Sequence, residues 1–340
     1  MLHRGIQKAK RKKKGIYYYY KKKKTKNGRM KSTPLLFQFS RSLSNAVRPS
    51  LIADRLPLAF DLIKANQPTD KAPIIIMHGL LGNKLNNRTL GKLLNSTLQR
   101  DVYLLDMRNH GSSPVSKDHD YRHMAADVFG FMRDHDIRKP VLIGHSMGAK
   151  VVMTCVIEDK ECASMGVCLD NAPVCKLPTG KFVQYMELLQ EICRDPDVVD
   201  SKSAYNKLGK IESNLFVKQF LMTTLRRVQK RNEVRDGEKG DKNVRWGYEE
   251  KIPLNILKEA VIKGKISEWD FDPRSSRWAG PMLFLRGTES DAVADEYIPT
   301  IGLFFPNFEL RDVKTGHYLN VTKAQECAEL IADFIDRHDE

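Results

Sequence analysis

Several features that would identify common functional classes are missing from this 340-residue chain. No stretch approaches the roughly 18 consecutive apolar residues of a transmembrane helix, so we expect no stable membrane insertion. No G-x-x-x-x-G-K phosphate-binding loop and no dinucleotide-binding fingerprint occurs, and no metal-ligand pattern is apparent. The sequence therefore predicts neither a metal site nor a tightly bound cofactor.

The chain also lacks any C-x-x-C pair among its six cysteines. Four of the cysteines lie in or near predicted helices or strands. This distribution favours buried free thiols over disulfides, and it is typical of a protein from a reducing compartment. The six are Cys155, Cys162, Cys168, Cys175, Cys193 and Cys327.

Acidic residues are absent from the first 50 positions, which hold sixteen lysines and arginines. The remaining 290 residues carry 41 basic and 42 acidic side chains, a balance of −1. The whole charge excess of +15 therefore belongs to a leader, and the body of the chain is nearly neutral. A neutral body argues against a nucleic-acid partner, because such partners select for clustered positive charge.

The leader resembles a mitochondrial presequence. Residues 35–47 mix apolar, serine and arginine residues without acids, and processing near Arg41 or Ser42 would fit this pattern. The alternatives are a disordered basic tail and a nuclear signal. The lysine-rich blocks at 10–14 and 21–24 favour these alternatives, because presequences are normally richer in arginine. We expect residues 1–50 to direct the protein to the mitochondrion and residues 51–340 to form one folded domain.

One stretch, residues 141–150, has the composition of a catalytic turn. The apolar run 141–143 predicts a buried strand, and a helical pattern begins after Gly144-His145-Ser146-Met147-Gly148. A G-x-S-x-G sequence between strand and helix places its serine in a strained conformation with the hydroxyl exposed. The amide of Met147 would then lie at the helix N-terminus, where it can donate to an oxyanion.

Strand and helix patterns alternate along the body of the chain. This alternation predicts an α/β fold with a mostly parallel sheet and helices on both faces. The predicted strands are 56–63, 73–77, 102–106, 141–143, 164–170, 281–287 and 304–310, and the main helices are 88–100, 121–135, 147–158 and 321–337.

Residues 176–278 interrupt this alternation. They are charged, show no convincing parallel strand, and contain helical periods at 182–192, 216–228 and 252–262. A hundred-residue block without sheet strands is more consistent with an insertion than with a loop. We interpret it as a helical lid inserted between strands of the sheet.

A serine hydroxyl needs a neighbouring base at neutral pH, and His317 is the best of the nine histidines. It follows the last predicted strand, in a glycine-containing loop before the terminal helix. That position places it at the carboxyl edge of the sheet, beside the predicted serine. His145 is adjacent to Ser146 in sequence, but its side chain is expected to point away from the pocket.

Two aspartates could orient the imidazole of His317 and stabilise its charged form. Asp170 ends the strand that follows the Ser146 helix, and Asp291 lies in the loop after the next strand. Both keep the chain order serine, aspartate, histidine. We favour Asp170 and keep Asp291 as the alternative.

The loop after the strand 102–106 carries Arg108 and His110. Both side chains could contact a substrate from this position. We expect them instead to brace the loop next to the active site.

With these motifs placed, residues 57–338 resemble the α/β-hydrolase superfamily. The segments 107–111, 144–150 and 170–173 are similar to a mitochondrial branch that includes yeast ethanol acetyltransferases and related hydrolases. In that branch the acid follows the strand after the nucleophile helix, which supports Asp170. Many other α/β-hydrolases carry the acid in the later loop, at the position of Ser290 here, so Asp291 is one residue late.

The resemblance implies further roles. The H-G-x-x-G segment 78–82 would supply a second oxyanion amide, on Leu80. An acetyl group would pass from acetyl-CoA, acting as a co-substrate, to Ser146 and then to ethanol, giving ethyl acetate. If water attacked instead, the protein would be an esterase or thioesterase, and the triad alone does not separate the two. A third alternative is a non-enzymatic interaction protein with the same fold. The presence of Ser146, His317 and two candidate acids argues against it, because such a protein needs none of them.

Overall fold

The computed structural model describes residues 18–24, 30–36, 55–67, 69–176, 181–231 and 244–339. The chain divides into two compact units, Met1–Val47 and Arg48–Glu340. In the first unit, strands β1 (Tyr18–Lys24) and β2 (Met30–Leu36) pair antiparallel. The processing site predicted near Arg41 lies outside the described residues.

The second unit is built on a seven-stranded sheet with the order β11-β10-β7-β6-β4-β5-β3. All neighbouring strands run parallel except β3, which pairs antiparallel with β5 at one edge. The predicted mostly parallel sheet is therefore confirmed. Its strands are β3 (Phe60–Ile63), β4 (Ile74–Met77), β5 (Val102–Leu105), β6 (Val141–His145), β7 (Met165–Leu169), β10 (Met282–Gly287) and β11 (Phe308–Val313).

Helices cover both faces of this sheet because its central strands are apolar on both sides. In β4, Ile74 and Ile76 join one buried cluster while Ile75 and Met77 join the other, as the two-residue period of a strand requires. Helices α1 (Arg88–Leu98) and α10 (Ala324–His338) pack into the first cluster. The second cluster contains α2 (Tyr121–Asp134), α3 (Met147–Glu158) and α8 (Ile298–Phe304). The short helix α9 (Leu319–Thr322) precedes α10, and single 3₁₀ turns occupy Lys84–Asn87 and Asp295–Tyr297.

The last strand begins later than the sequence predicted. The range 304–310 was expected to be a strand, but Phe304 ends helix α8 and β11 starts at Phe308. Phe304 and Phe305 are buried in the core beside Phe284. These residues are apolar because they are buried at the end of a helix. Periodicity alone does not distinguish such a short apolar run from a buried strand.

The inserted segment between β7 and β10 contains helices and also a β-hairpin. Its helices are α4 (Lys181–Arg194), α5 (Ser201–Leu208), α6 (Leu215–Met222) and α7 (Leu254–Ile262), and their buried residues belong to the same cluster as α2 and α3. Helices α4 and α7 lie within about two residues of predicted helical ranges.

The predicted helix over 216–228 is wrong in its second half. Helix α6 ends at Met222, and the chain then forms β8 (Leu225–Arg231), which pairs antiparallel with β9 (Val244–Glu250). Thr223 and Thr224 turn the chain, and each hydroxyl donates to a carbonyl of α6 instead of continuing the helix. The lid is therefore mixed helix and hairpin.

Two further sequence predictions concern the whole described chain. All six cysteines are free thiols, and four of them are buried. Among the described residues, no helix has the length and apolarity needed to cross a bilayer.

Candidate active site

Ser146 occupies a strained turn between β6 and α3. Its backbone has φ 53° and ψ −111°, a left-handed conformation that non-glycine residues adopt rarely and at some cost. Glycines on both sides make the turn possible. A Cβ on Gly144 would lie 2.1 Å from the carbonyl oxygen of Gly148, and one on Gly148 would lie 2.5 Å from that of Met77. The sharp reversal presents the Ser146 hydroxyl at the carboxyl edge of the sheet.

His317 lies beside this hydroxyl. It is in the loop between β11 and α9, and its Nε2 is 2.9 Å from Ser146 Oγ. Its Nδ1 is 2.7 Å from Asp170 Oδ2. An ionised carboxylate only accepts hydrogen bonds, so Nδ1–H donates to Asp170 and Nε2 is left to accept from the serine. The structure thus brings the predicted nucleophile, base and favoured acid into one hydrogen-bonded chain.

Asp170 is held by donors from the neighbouring strand end. It is fully buried at the end of β7, where Gly287 N–H donates to Oδ1 over 3.0 Å. The Ser290 hydroxyl donates to Oδ2 over 2.5 Å. Ser290 occupies the place where many related folds carry the acid, and here it orients the acid supplied by β7. Sequence reasoning did not assign Ser290 this role.

Asp291, the alternative acid, faces solvent. Its side chain is 79% exposed, and its carboxylate lies 3.2 Å from Lys176 Nζ. Charge pairing with Lys176 accounts for its orientation, whereas the two nitrogens of the His317 ring are already placed against Asp170 and Ser146.

Two backbone N–H groups near Ser146 have no protein acceptor in the described part of the chain. Met147 N–H is the first of helix α3, where the helix dipole adds partial positive charge. Leu80 N–H belongs to a turn closed by a 3.0 Å bond from Gly82 N to Gly79 O. A Cβ on Gly79 would lie 3.1 Å from Ser146 Cβ, so this turn passes directly over the serine. Both are the N–H groups for which the sequence predicts an oxyanion-binding role, and both are available as donors beside Ser146.

Two buried histidines tie the Leu80 turn to the loop after β5. His78 Nε2 accepts from Met107 N–H over 3.0 Å, and His110 Nε2 accepts from Leu81 N–H over 3.1 Å. The Nδ1 atoms donate to backbone carbonyls, of Gly79 for His78 and of Arg108 for His110. Each loop therefore supplies a histidine that holds the backbone of the other.

The protonation state suits this role. Burial lowers the pKa of His78, and burial lowers the pKa of His110 well below its usual value. Both rings are neutral near pH 7, so their Nε2 lone pairs remain available as acceptors.

Arg108 is also fully buried and forms a bidentate pair with Asp127, with both contacts at 2.7 Å. Arg108 and His110 brace the loop, as expected, and neither is exposed to a substrate.

We expect His110→Asn to lower kcat/KM by about 10- to 100-fold, part of the effect of losing an oxyanion donor. Asparagine can still donate to Arg108 O, but it cannot reach Leu81 N–H. His110→Gln places an amide oxygen near the lost Nε2 and should recover most of the activity. Binding of a trifluoromethyl ketone, which forms an oxyanion on Ser146, should weaken in parallel while KM changes less than about threefold. Equal losses in both variants, or unchanged ketone binding, would contradict the assignment.

The prediction that His145 points away from the pocket is wrong, because His145 borders a small cavity beside Ser146. Its buried ring lies 4.9 Å from the ring of His317, and its Nε2–H donates to His317 O over 2.8 Å. Burial, followed by the nearby charge of His317, lowers the pKa of His145 to about 3, so it is neutral and keeps one N–H. His145 therefore anchors the loop that carries the base. Its adjacency to Ser146 was the only sequence signal for this contact.

Two cavities meet at Ser146. The larger has a volume of about 260 Å³ and the smaller about 20 Å³. Both are bordered by Leu80, Ser146, Phe182, His317 and Tyr318. The lid supplies Phe182 from α4 to both cavities, and its helix α6 supplies Val217 to the larger and Phe220 to the smaller. The inserted segment therefore contributes to the walls of both cavities.

A buried lysine borders the larger cavity. Lys150 Nζ donates to Val174 O over 2.8 Å and to Ser267 O over 3.2 Å, which ties helix α3 to two loops around the cavity. Burial lowers the pKa of Lys150 to about 8.

No group of three or more His, Cys, Asp or Glu side chains suited to a metal ion occurs within the described ranges.

The chain is similar to known proteins along most of its length. A family model described as the alpha/beta hydrolase fold matches residues 72–324. A protein of Saccharomyces cerevisiae named probable alcohol acetyltransferase is 45% identical over 297 residues, covering 84% of this chain and 85% of the yeast protein. Ethanol acetyltransferase 1 of Wickerhamomyces anomalus is 27% identical over 320 residues, covering 87% of this chain and 80% of that protein.

Hydrolases are also among the similar proteins. An sn-1-specific diacylglycerol lipase of Xenopus tropicalis is 28% identical over 283 residues, covering 82% of each chain. The solved structure of a marine microorganism esterase is 27% identical and has a TM-score of 0.68, covering 82% of this chain and 99% of the esterase. The similarity therefore extends to acyl-transferring and acyl-hydrolysing proteins.

Proposed function

The chain belongs to the alpha/beta hydrolase fold family, in the branch of the ethanol acetyltransferases, and from this premise we propose that it makes acetate esters from acetyl-CoA and a short alcohol such as ethanol. The observation that carries the proposal is the hydrogen-bonded chain from Asp170 through His317 to Ser146, beside two free backbone donors. The similarity to a yeast alcohol acetyltransferase and to ethanol acetyltransferase 1 supports the choice of acyl group and acceptor.

In the first half-reaction, Ser146 Oγ attacks the thioester carbonyl while His317 Nε2 takes the hydroxyl proton. The developing oxyanion accepts hydrogen bonds from the N–H groups of Leu80 and Met147. Collapse of this intermediate breaks the C–S bond. The CoA sulfur leaves with the proton from His317, and acetyl-Ser146 remains.

In the second half-reaction, the alcohol gives its proton to His317 Nε2 as its oxygen attacks acetyl-Ser146. The same two N–H groups hold the second oxyanion. The Ser146–acyl bond then breaks, the ester leaves, and Ser146 recovers its proton from His317. Asp170 stabilises the imidazolium in both halves without taking the proton itself.

A carboxylic ester hydrolase or thioesterase without significant transfer is the second candidate. Water replaces the alcohol in the second half-reaction, and all other steps stay the same. The lipase relative and the esterase structure favour this alternative. The balance depends on how well the covered site excludes water and holds an alcohol.

Product analysis tests the proposal. Purified protein should convert acetyl-CoA and ethanol to ethyl acetate, with some free acetate, and a serine-directed phosphonate should abolish both products. Ser146→Ala serves as the control for non-enzymatic transfer. Free acetate as the only product, with and without ethanol, would remove the transferase and leave the hydrolase.

We also propose that the protein acts in the mitochondrion, on the basis of its acid-free basic leader. A fluorescent reporter fused to residues 1–50 should enter mitochondria. A reporter that stays in the cytosol or enters the nucleus would overturn this proposal.

A further inference from the structure

The two cavities that meet at Ser146 differ greatly in size and lining. We propose that the smaller one is the acceptor site, holding the water or short alcohol that attacks acyl-Ser146, while the acyl donor occupies the larger one. This inference rests on the proposed acyl-serine chemistry, and it adds where the acceptor binds and what limits its size. We call the two spaces the acceptor chamber and the donor chamber.

Size separates the two ligands. The acceptor chamber has about 20 Å³ and the donor chamber about 260 Å³. A single water needs roughly 10–15 Å³ measured in this way. Since the attacking oxygen itself sits in the shared space beside His317 Nε2, the acceptor chamber has room for about one or two further heavy atoms. Water, methanol and ethanol fit this limit, whereas a thioester with its long thiol arm fits only the donor chamber.

The lining of the acceptor chamber suits a small molecule with a hydroxyl group and a short alkyl part. Phe220 and Val321 supply apolar wall, and Asn320 supplies a buried amide. Asn320 is 2% exposed and donates from Nδ2 to Asn87 Oδ1 over 2.8 Å. Asn320 Oδ1 and Asn87 Nδ2 are buried without a hydrogen-bond partner among the described residues. Asn87 does not border the chamber, so Asn320 is the member of this pair that can contact an occupant there.

Helix α6 contributes a side chain to each of the two chambers. Val217 on this helix borders the donor chamber, and Phe220, three residues later, borders the acceptor chamber. Phe220 packs against Tyr318, with ring centroids 5.3 Å apart, and Tyr318 borders both spaces. At the other side, Val321 is 38% exposed. The lining of the acceptor chamber therefore reaches the protein surface at Val321.

A pair of variants on the same helix tests the assignment, with p-nitrophenyl acetate as donor so that use of acetyl-CoA is not required. Phe220→Ala enlarges the acceptor chamber, and we expect the ratio of 1-propanol to ethanol acetylation to rise about tenfold, since one added methylene in an apolar pocket changes selectivity by about this factor. The nitrophenol burst, which reports acylation of Ser146, should stay within about twofold. Val217→Ala is the matched control. It should change the preference between acetyl and butyryl donors in the burst and leave the alcohol ratio unchanged.

A third variant separates failure of this inference from failure of the proposed function. Val321→Phe fills the acceptor chamber and should slow deacylation about tenfold or more while the burst remains. This holds even if the wild-type protein yields only acetate, because water is then the acceptor. Deacylation at the wild-type rate in Val321→Phe, or an altered alcohol ratio in Val217→Ala instead of Phe220→Ala, would overturn the acceptor chamber whatever the product.

Discussion

Asp170→Asn should lower kcat by about four orders of magnitude, the size of effect that follows when a triad acid can no longer fix the histidine tautomer. Gly287 N–H and the Ser290 hydroxyl both donate to the native carboxylate. An asparagine keeps its oxygen on Gly287 N–H and places its NH₂ where Oδ2 was, facing both His317 Nδ1 and the Ser290 hydroxyl, which must then accept instead of donate. The ring must then accept at Nδ1 and carry its proton on Nε2, which faces Ser146. A ring in that state cannot take the serine proton.

The experiment compares kcat for p-nitrophenyl acetate in Asp170→Asn and Asp291→Asn. Asp291 is exposed and pairs with Lys176, so its substitution should change kcat by less than about twofold. Circular dichroism and thermal unfolding of both variants show whether the fold is kept. A large loss in Asp291→Asn with near-normal turnover in Asp170→Asn would assign the acid to the later loop and refute the geometry described above.

The parts of the fold that the sequence predicts well are those encoded locally. The run 141–143 followed by G-x-S-x-G predicts a strand, a strained turn and a helix. Only glycine fits at positions 144 and 148, because a Cβ there would clash with backbone atoms of Gly148 and Met77. The carboxyl ends of parallel strands meet at one edge, which brings Ser146, Asp170 and His317 together once the strands are placed. Strand alternation alone therefore predicts which loops contribute to the site.

The parts that the sequence does not predict depend on contacts between distant segments. Strand β8 has no strong pattern of its own and is stabilised by its pairing with β9, across a gap of more than ten residues. The reciprocal bonds of His78 and His110 each join residues 29 positions apart. The choice between Asp170 and Asp291 likewise depends on where Ser290 places its hydroxyl. No local period encodes these contacts, so they emerge only from the packed structure.

The buried histidines around the site have a consequence for stability that extends beyond catalysis. Burial, and then the charge of Arg108, lowers the pKa of His119 to about 3, and burial lowers the pKa of His145 to about 3. The pKa of His110 is also lowered well below its usual value by burial. Above the ordinary histidine pKa near 6.5, both folded and unfolded chains keep these rings neutral, so they add no pH dependence there. Below this pH, these histidines become protonated in the unfolded chain but stay neutral in the folded chain.

We therefore expect the free energy of unfolding to fall as pH decreases from about 6.5, with each of these three rings contributing up to about 1.4 kcal/mol per pH unit. Together they approach about 4 kcal/mol per unit, a large fraction of the 5–15 kcal/mol that stabilises a typical domain. His123 opposes the trend weakly, because its hydrogen bond to Asp120 raises its pKa and its contribution is fully present below 6.5. Urea unfolding between pH 7.5 and 5 measures the slope. His119→Gln should reduce this slope by about a quarter to a third, because His78, whose pKa burial also lowers, adds to it. The difference in stability between the variant and the native protein at pH 7.5 reports only packing. An unchanged slope would show that His119 is charged in the folded protein.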